Sequence, residues 1–217
     1  MISNSISNQF LLPLLAYLLG SIPSGYLAGR WFAGIDIRLQ GSGSTGATNV
    51  LRHVGKTAAL LVFLVDVFKG TAAVLLAKQL MGSNAHTWLV AAGVLALAGH
   101  IWPIWLKCKG GKAVATGLGM LLGLVPAVGF ACFGIFLLVL SCSRIVSLSS
   151  VIAALGLPPL LWAAGYGNTP TYMGLGFLTA AMVIWRHRSN IKRLLAGTEP
   201  CIGSRAPSPT ADSARQP

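Results

Sequence analysis

Apolar runs, long and closely spaced, leave this chain little choice but to live in lipid. Residues 1 to 29 carry no charged side chain, and Gln9 to Gly29 is long enough, at about 1.5 Å per residue, to cross a hydrocarbon core of about 30 Å. Further apolar runs follow at Thr57 to Met81, Trp88 to Leu106, Ala113 to Ser141, Ile145 to Ala164 and Tyr172 to Trp185. A cleaved leader would have a cationic start and a shorter apolar core, so the first run is expected to remain as a span. With 54% hydrophobic residues, 9% charged residues and a mean hydropathy of +0.72, the 217 residues read as an all-α integral membrane protein. Residues 1–200 are expected to form one polytopic membrane domain, and residues 201–217, rich in Pro, Ser and Ala, a disordered cytoplasmic tail.

Charge placement decides how many spans there are. The run from Ala113 to Ser141 is longer than one crossing needs and short for two, and Pro126, with glycines on either side, permits a break. Split there, the chain puts Arg30, Arg38, Arg52, Lys56, Lys107, Lys109, Lys112, Arg144 and the cations from Arg186 onward on one side. Lys78 is then left near the other face and Lys69 within a span. Unsplit, Arg144 and the carboxyl-terminal cluster fall outside, against the positive-inside bias. Seven transmembrane helices are therefore expected, with the amino terminus outside and the carboxyl terminus cytoplasmic. Trp31, Trp88, Trp105, Trp162 and Trp185 fall at expected span ends, as an interfacial aromatic belt requires. The same placement explains the net charge of +12 by topology and anionic lipid, with no nucleic-acid partner. Cys108, Cys132, Cys142 and Cys201 show neither pairing nor metal-ligand spacing.

This topology brings every unusual polar stretch to the cytoplasmic face. The first is GSGSTGATNVLRHVGK, Gly41 to Lys56, whose glycines let backbone N–H groups approach an oxyanion while hydroxyls, an amide and two cations surround it. The others are KCKGGK (Lys107 to Lys112) with His100 just before it, RIVSLSS (Arg144 to Ser150) and RHRSN (Arg186 to Asn190). Asp66 and Lys69 lie three apart inside the second span, where an unpaired charge costs about 3 kcal/mol, so they are expected to form an ion pair that supports the glycine-rich loop. Acidic residues are confined to Asp36, Asp66, Glu199 and Asp212, too scattered to hold a divalent metal, and no cofactor is expected. The acyl-transfer signature H-x-x-x-x-D is absent as well. From the residues alone the reading ends at a cytoplasm-facing site for a phosphate ester or anhydride. A transporter of phosphate or organophosphate anions is the competing class, but the chain has no internal repeat and no matched pair of broken spans.

At these same residues the sequence resembles the bacterial acyl-phosphate:glycerol-3-phosphate acyltransferases of the inner membrane. The matching stretches are GSIPSGYLAGR (Gly20 to Arg30), DIRLQGSGSTGATNVLRHVGK (Asp36 to Lys56), the Asp66/Lys69/Gly70 trio, GHIWPIWLKCKGGKAVAT (Gly99 to Thr116), RIVSLSS and RHRSNIKRLLAGTE (Arg186 to Glu199). The chain departs from the family's usual pattern at Ser44, Cys108 and Ala113, where the family has Asn, an aromatic and Gly. The resemblance implies transfer of a fatty acyl group from acyl phosphate to the 1-hydroxyl of glycerol 3-phosphate, giving lysophosphatidate and phosphate as the first step of phospholipid synthesis. It implies seven spans, no direct use of acyl-CoA or acyl carrier protein, and a functional partnership with a soluble enzyme that makes acyl phosphate.

Candidate catalytic residues are Ser42, Asn49, Arg52, Lys112 and His187. Candidate substrate-binding residues are Ser44, Thr45, Thr48, Lys56, His100, Lys109, Ser149, Ser150 and Asn190, with Asp66 and Lys69 as the structural ion pair and no metal. Cations and hydroxyls are expected to hold the phosphates, and binding energy and orientation to do most of the work. His187, His100 and the substrate's own phosphate remain alternative proton acceptors. An acyl-enzyme on Ser42 or Ser150 is less favoured, because neither has an evident base beside it in sequence.

Overall fold

A computed structural model describes residues 2–203, with side chains from Asn8 onward, and contains no strand among the described residues. The helices are α1 (Ile2–Gly20), α2 (Ser24–Ala33), α3 (Ala47–His53), α4 (Lys56–Met81), α5 (His86–Ile101), α6 (Val114–Leu124), α7 (Pro126–Ser143), α8 (Val146–Leu161), α9 (Pro170–Arg186) and α10 (Arg188–Leu195). Short 3-10 turns occupy Ile37–Leu39 and Ile104–Leu106, and a wider turn at Trp162–Tyr166 extends α8. The segments Asn8–Ala33, Lys56–Met81, His86–Leu106, Pro126–Ser143 and Val146–Tyr166 are long and apolar enough to cross a membrane. The break expected at Pro126 is present: α6 stops at Leu124 and Pro126 opens α7, where its missing N–H costs nothing. At 11 residues α6 rises only about 16 Å.

One expected span is not a single helix. Pro23 cannot donate a backbone hydrogen bond and pushes Ile22 out of the helical region, so α1 ends at Gly20 and α2 starts afresh at Ser24. Carbonyls freed at such a break need partners at this depth. The Ile22 carbonyl accepts from Lys69 Nζ at 3.0 Å, and Ser24 Oγ donates to Asp66 Oδ1 at 2.7 Å. Asp66 and Lys69 lie 2.8 Å apart, both almost fully buried. The ion pair thus pins the broken first segment onto α4.

Small residues set the helix crossings. A methyl group on Gly70 of α4 would run into the carbonyl of Thr116, and one on Gly119 of α6 into the carbonyl of Val67. Gly20 and Gly99 join α1 to α5 in the same way, against Ala96 and Tyr17. Gly25 of α2 admits the polar loop, whose Thr45 carbonyl lies where its side chain would be. Because successive long helices run up and down, the start of α4, the end of α5, the starts of α6 and α8 and the end of α9 gather at one end of the bundle. Of the tail expected from residue 201, Ile202 N donates to Arg144 O at 2.7 Å, so ordered chain passes that boundary; residues 204–217 lie outside the described residues.

Candidate active site

The glycine-rich loop owes its shape to Asn49. From the first turns of α3 the buried Asn49 amide donates to the carbonyls of Ile37, Gln40 and Ser44 at 2.9–3.1 Å, while its oxygen accepts from Ser42 N at 3.4 Å. Gly41 and Gly43 supply left-handed turns at φ +50 and +66. Ser44 Oγ is turned inward and accepts from Gly46 N. The amide is therefore spent on holding the loop, and Asn49 contributes to the site as part of its wall.

The second segment comes from the lysine knot. Gly110 and Gly111 fold back under His100, their N–H groups donating to Ile101 O and His100 O, and Arg186 clamps the carbonyls of both glycines from α9. Ala113 begins α6 in a left-handed conformation, φ +60. Side chains at Gly110 or Gly111 would overlap the end of α5 and the His100 ring. Lys112 Nζ is thereby aimed at α10, where it donates to Asn190 Oδ1 at 2.6 Å.

The third and fourth segments meet at a carboxylate that sequence reasoning did not assign. Gly197, at φ +67, ends α10 and turns the chain back, bringing Glu199 under the site. Glu199 Oε1 accepts from Asn190 Nδ2 at 2.6 Å and Ser147 Oγ at 2.7 Å, and Oε2 pairs with Arg193 Nε at 2.7 Å. Burial opposes its ionisation, but the hydrogen bonds from Asn190, Ser147 and Arg193 outweigh that and hold its pKa below the ordinary value. Next to it, Pro200 O accepts from Arg52.

Together these segments enclose a cavity of about 130 Å³. Ser42, Ser44, Thr48, Asn49, Arg52, His100, Lys112, Ser150, His187 and Asn190 all line it, as do Asp66, Ser147 and Glu199. Thr45, Lys56, Lys109 and Ser149 do not. Thr45 is buried beneath α2, Lys56 and Lys109 are exposed, and Ser149 is buried on another face of α8 with its hydroxyl on Ile145 O. Lys69 reaches the site only through Asp66. Among the described residues, no three of His, Cys, Asp and Glu come together as a metal would require.

Protonation states follow from this packing. Burial above all, assisted by Arg193, Arg186 and Arg52 and opposed by Glu199, brings the Lys112 ammonium down to about 8. Burial and then Lys112 push His187 down to about 4, so its imidazole is neutral near pH 7. His187 Nδ1 lies 2.8 Å from Val183 O. A carbonyl only accepts, so Nδ1 carries the proton and Nε2 keeps a lone pair. His100 Nδ1 lies 3.2 Å from Thr116 Oγ1 and 3.5 Å from Asp66 Oδ1, and its Nε2 packs against Gly111.

An apolar groove of about 90 Å³ runs on from the polar cavity, sharing Phe63, Ala113, Val114, Ala115, Phe136 and Ser150 with it. Leu118, Leu121, Leu157 and Val183 continue its walls between α6, α8 and α9. A polar pocket bearing Arg52, Lys112, Asp66 and Glu199 that opens into an apolar groove among membrane-type helices defines a helical membrane protein with a polar site joined to an apolar one. The profile of the family described as Glycerol-3-phosphate acyltransferase matches residues 10–197, and the chain belongs to that family. It is an acyltransferase. Its relatives include the glycerol-3-phosphate acyltransferases of Prochlorococcus marinus strain MIT 9313, 65% identical over 92% of this chain and 98% of the relative, and of Synechococcus sp. strain CC9902, 61% identical over 93% and 98%. The fold is similar to that of PlsY (YgiH), an integral membrane glycerol 3-phosphate acyltransferase. Its glycerol 3-phosphate form superposes with a TM-score of 0.84 at 37% identity, covering 97% of this chain and 100% of that one. Its lysophosphatidic acid form gives 0.81 at 38%, covering 91% and 96%.

Proposed function

We propose that the protein transfers a fatty acyl group from acyl phosphate to the 1-hydroxyl of sn-glycerol 3-phosphate, forming lysophosphatidate and inorganic phosphate. The observation that carries this reading is the continuity of the two cavities: a polar pocket bearing Arg52 and Lys112 passes directly into an apolar groove at Ala113 and Ser150. Two phosphorylated reactants fit the polar part, and the acyl chain fits the groove. Relatives named for glycerol 3-phosphate, and a neighbour solved with it, support the choice of acceptor.

In this reading Arg52 and Lys112 hold phosphate oxygens, with Ser42 and Thr48 beside them, while Asn49 and Glu199 keep the loop and Lys112 in position. The acceptor hydroxyl attacks the acyl carbon and the bond from that carbon to the phosphate oxygen breaks. His187 Nε2, neutral and oriented by its bond to Val183, accepts the hydroxyl proton and passes it to the departing phosphate. Orientation supplies much of the acceleration, since acyl phosphate is already an activated anhydride. Seven membrane crossings, with the amino terminus outside and the site facing the cytoplasm from the bacterial inner membrane, put the soluble acceptor within reach. A soluble enzyme forming acyl phosphate then supplies the donor. The test is to give the purified protein acyl phosphate and glycerol 3-phosphate in detergent or lipid: lysophosphatidate and phosphate are expected in equal amounts, and acyl-CoA should not replace the donor. Absence of lysophosphatidate under conditions where the protein stays folded overturns the reading.

A further inference from the structure

Several helical hydroxyls in this protein return their hydrogen to the chain, and those of Ser24, Thr116 and Ser147 meet Asp66, His100 and Glu199 instead. Thr71, Ser143, Ser149 and Ser150 donate to the carbonyls of Val67, Val139, Ile145 and Val146, each one turn back. Thr179, in the middle of α9, does not. Its Oγ1 is buried without a hydrogen-bond partner, and the residue is 6% exposed. A buried, unmade hydrogen bond of this kind calls for an explanation.

The position of Thr179 suggests one. It lines the apolar groove, among Leu121, Cys132 and Leu157, well away from the charged groups. Eight residues of α9 separate it from His187, about 12 Å of helix. An acyl group whose carbonyl carbon sits beside His187 runs along this groove and passes Thr179 in the middle of its chain. A saturated chain there covers the hydroxyl and offers it nothing, whereas a chain carrying an acceptor at that depth completes its bond.

Resting on the acyl-phosphate reading above, we propose that Thr179 determines acyl-chain specificity: its unpartnered hydroxyl donates to an acceptor carried in mid-chain, the π face of a cis double bond or an oxygen substituent. The enzyme therefore prefers such acyl phosphates to saturated ones of the same length. A π face is the weaker acceptor and an oxygen the stronger, so the preference is graded.

The experiment compares kcat/KM for stearoyl phosphate, oleoyl phosphate and a stearoyl phosphate with a mid-chain hydroxyl, using purified full-length protein and its Thr179→Val and Thr179→Ser variants. In the native protein the oleoyl chain is expected to lead the saturated one by about threefold and the hydroxylated chain by about tenfold, as a single neutral hydrogen bond allows. Thr179→Val should bring both ratios to about one, and Thr179→Ser should keep them. Because Val removes an unpartnered hydroxyl, Thr179→Val should melt no lower than the native protein. A lower melting temperature for Thr179→Val, or ratios that Val leaves unchanged, overturns the assignment while leaving the acyl-transfer reading intact. Absence of turnover with every chain sinks the acyl-transfer reading and the assignment with it.

Discussion

Burial lowers the pKa of both Lys112 and His187, and because their ordinary values differ, near neutral pH one keeps its proton and the other loses it. With its pKa near 8 in the ligand-free protein, Lys112 is a cation at neutral pH and progressively uncharged above that. In the proposed reaction its charge holds a phosphate, so kcat/KM for glycerol 3-phosphate should fall as pH rises through about 8. A bound dianion favours the ammonium, which moves the corresponding limb of kcat to higher pH. A pH profile of the two parameters checks this, and coincident limbs would contradict it. Lys112→Ala should lower kcat/KM by about 10- to 100-fold, the worth of a charge-assisted hydrogen bond. As the proposed general base, already neutral, His187 replaced by Ala should cost kcat about 100-fold or more while KM for glycerol 3-phosphate changes little, since a general base acts in the transition state. Near-normal kcat in His187→Ala would give the proton to the substrate's phosphate instead. At Ala113 the left-handed backbone, φ +60, strains any residue with a side chain. Ala113→Gly relieves about 1 kcal/mol of strain, partly offset by a more flexible unfolded chain, so a small rise in melting temperature is expected.

Helices and their ends decide which of these residues meet. Glu199→Ala leaves Asn190, Ser147 and Arg193 without their acceptor, and should destabilise the protein by about 2 kcal/mol. It should also raise KM, because Asn190 fixes Lys112; a melting curve and a substrate titration separate the two effects. That residue was hidden in the sequence because its role depends on Gly197 reversing the chain, a turn that nothing in the spacing of LLAGTE announces. Other parts were legible for equally local reasons. Pro126 announces its break, the cation asymmetry points to one end of the bundle, and the four polar segments do converge on one cavity. Pro23 is just as firm a helix breaker, but it lies within an uncharged run, Gln9 to Gly29, that looks like a continuous crossing. Composition also cannot say which way a hydroxyl faces. Ser147 and Ser150, three apart on α8, share the cavity face while Ser149 turns away. Thr45 likewise carries the same chemistry as Thr48 yet is buried under Gly25 of α2.

At the scale of the whole molecule, the charge that does not line the cavity still shapes its traffic. Lys56 and Lys109 are exposed at the site's end of the bundle, outside the cavity, and with the exposed Lys107, Arg144, Arg188 and Lys192 they make that end a positive funnel for a soluble dianion. Such a field is screened within about 8 Å at physiological ionic strength, whereas Lys112, held inside, is screened far less. Added salt should therefore raise KM for glycerol 3-phosphate while kcat stays nearly constant. The double variant Lys56→Ala/Lys109→Ala should lose a few-fold in kcat/KM at low salt and approach the native protein at high salt. If both lysines instead gripped the substrate directly, the deficit would persist at every ionic strength, and kinetics across a salt series distinguish the two cases.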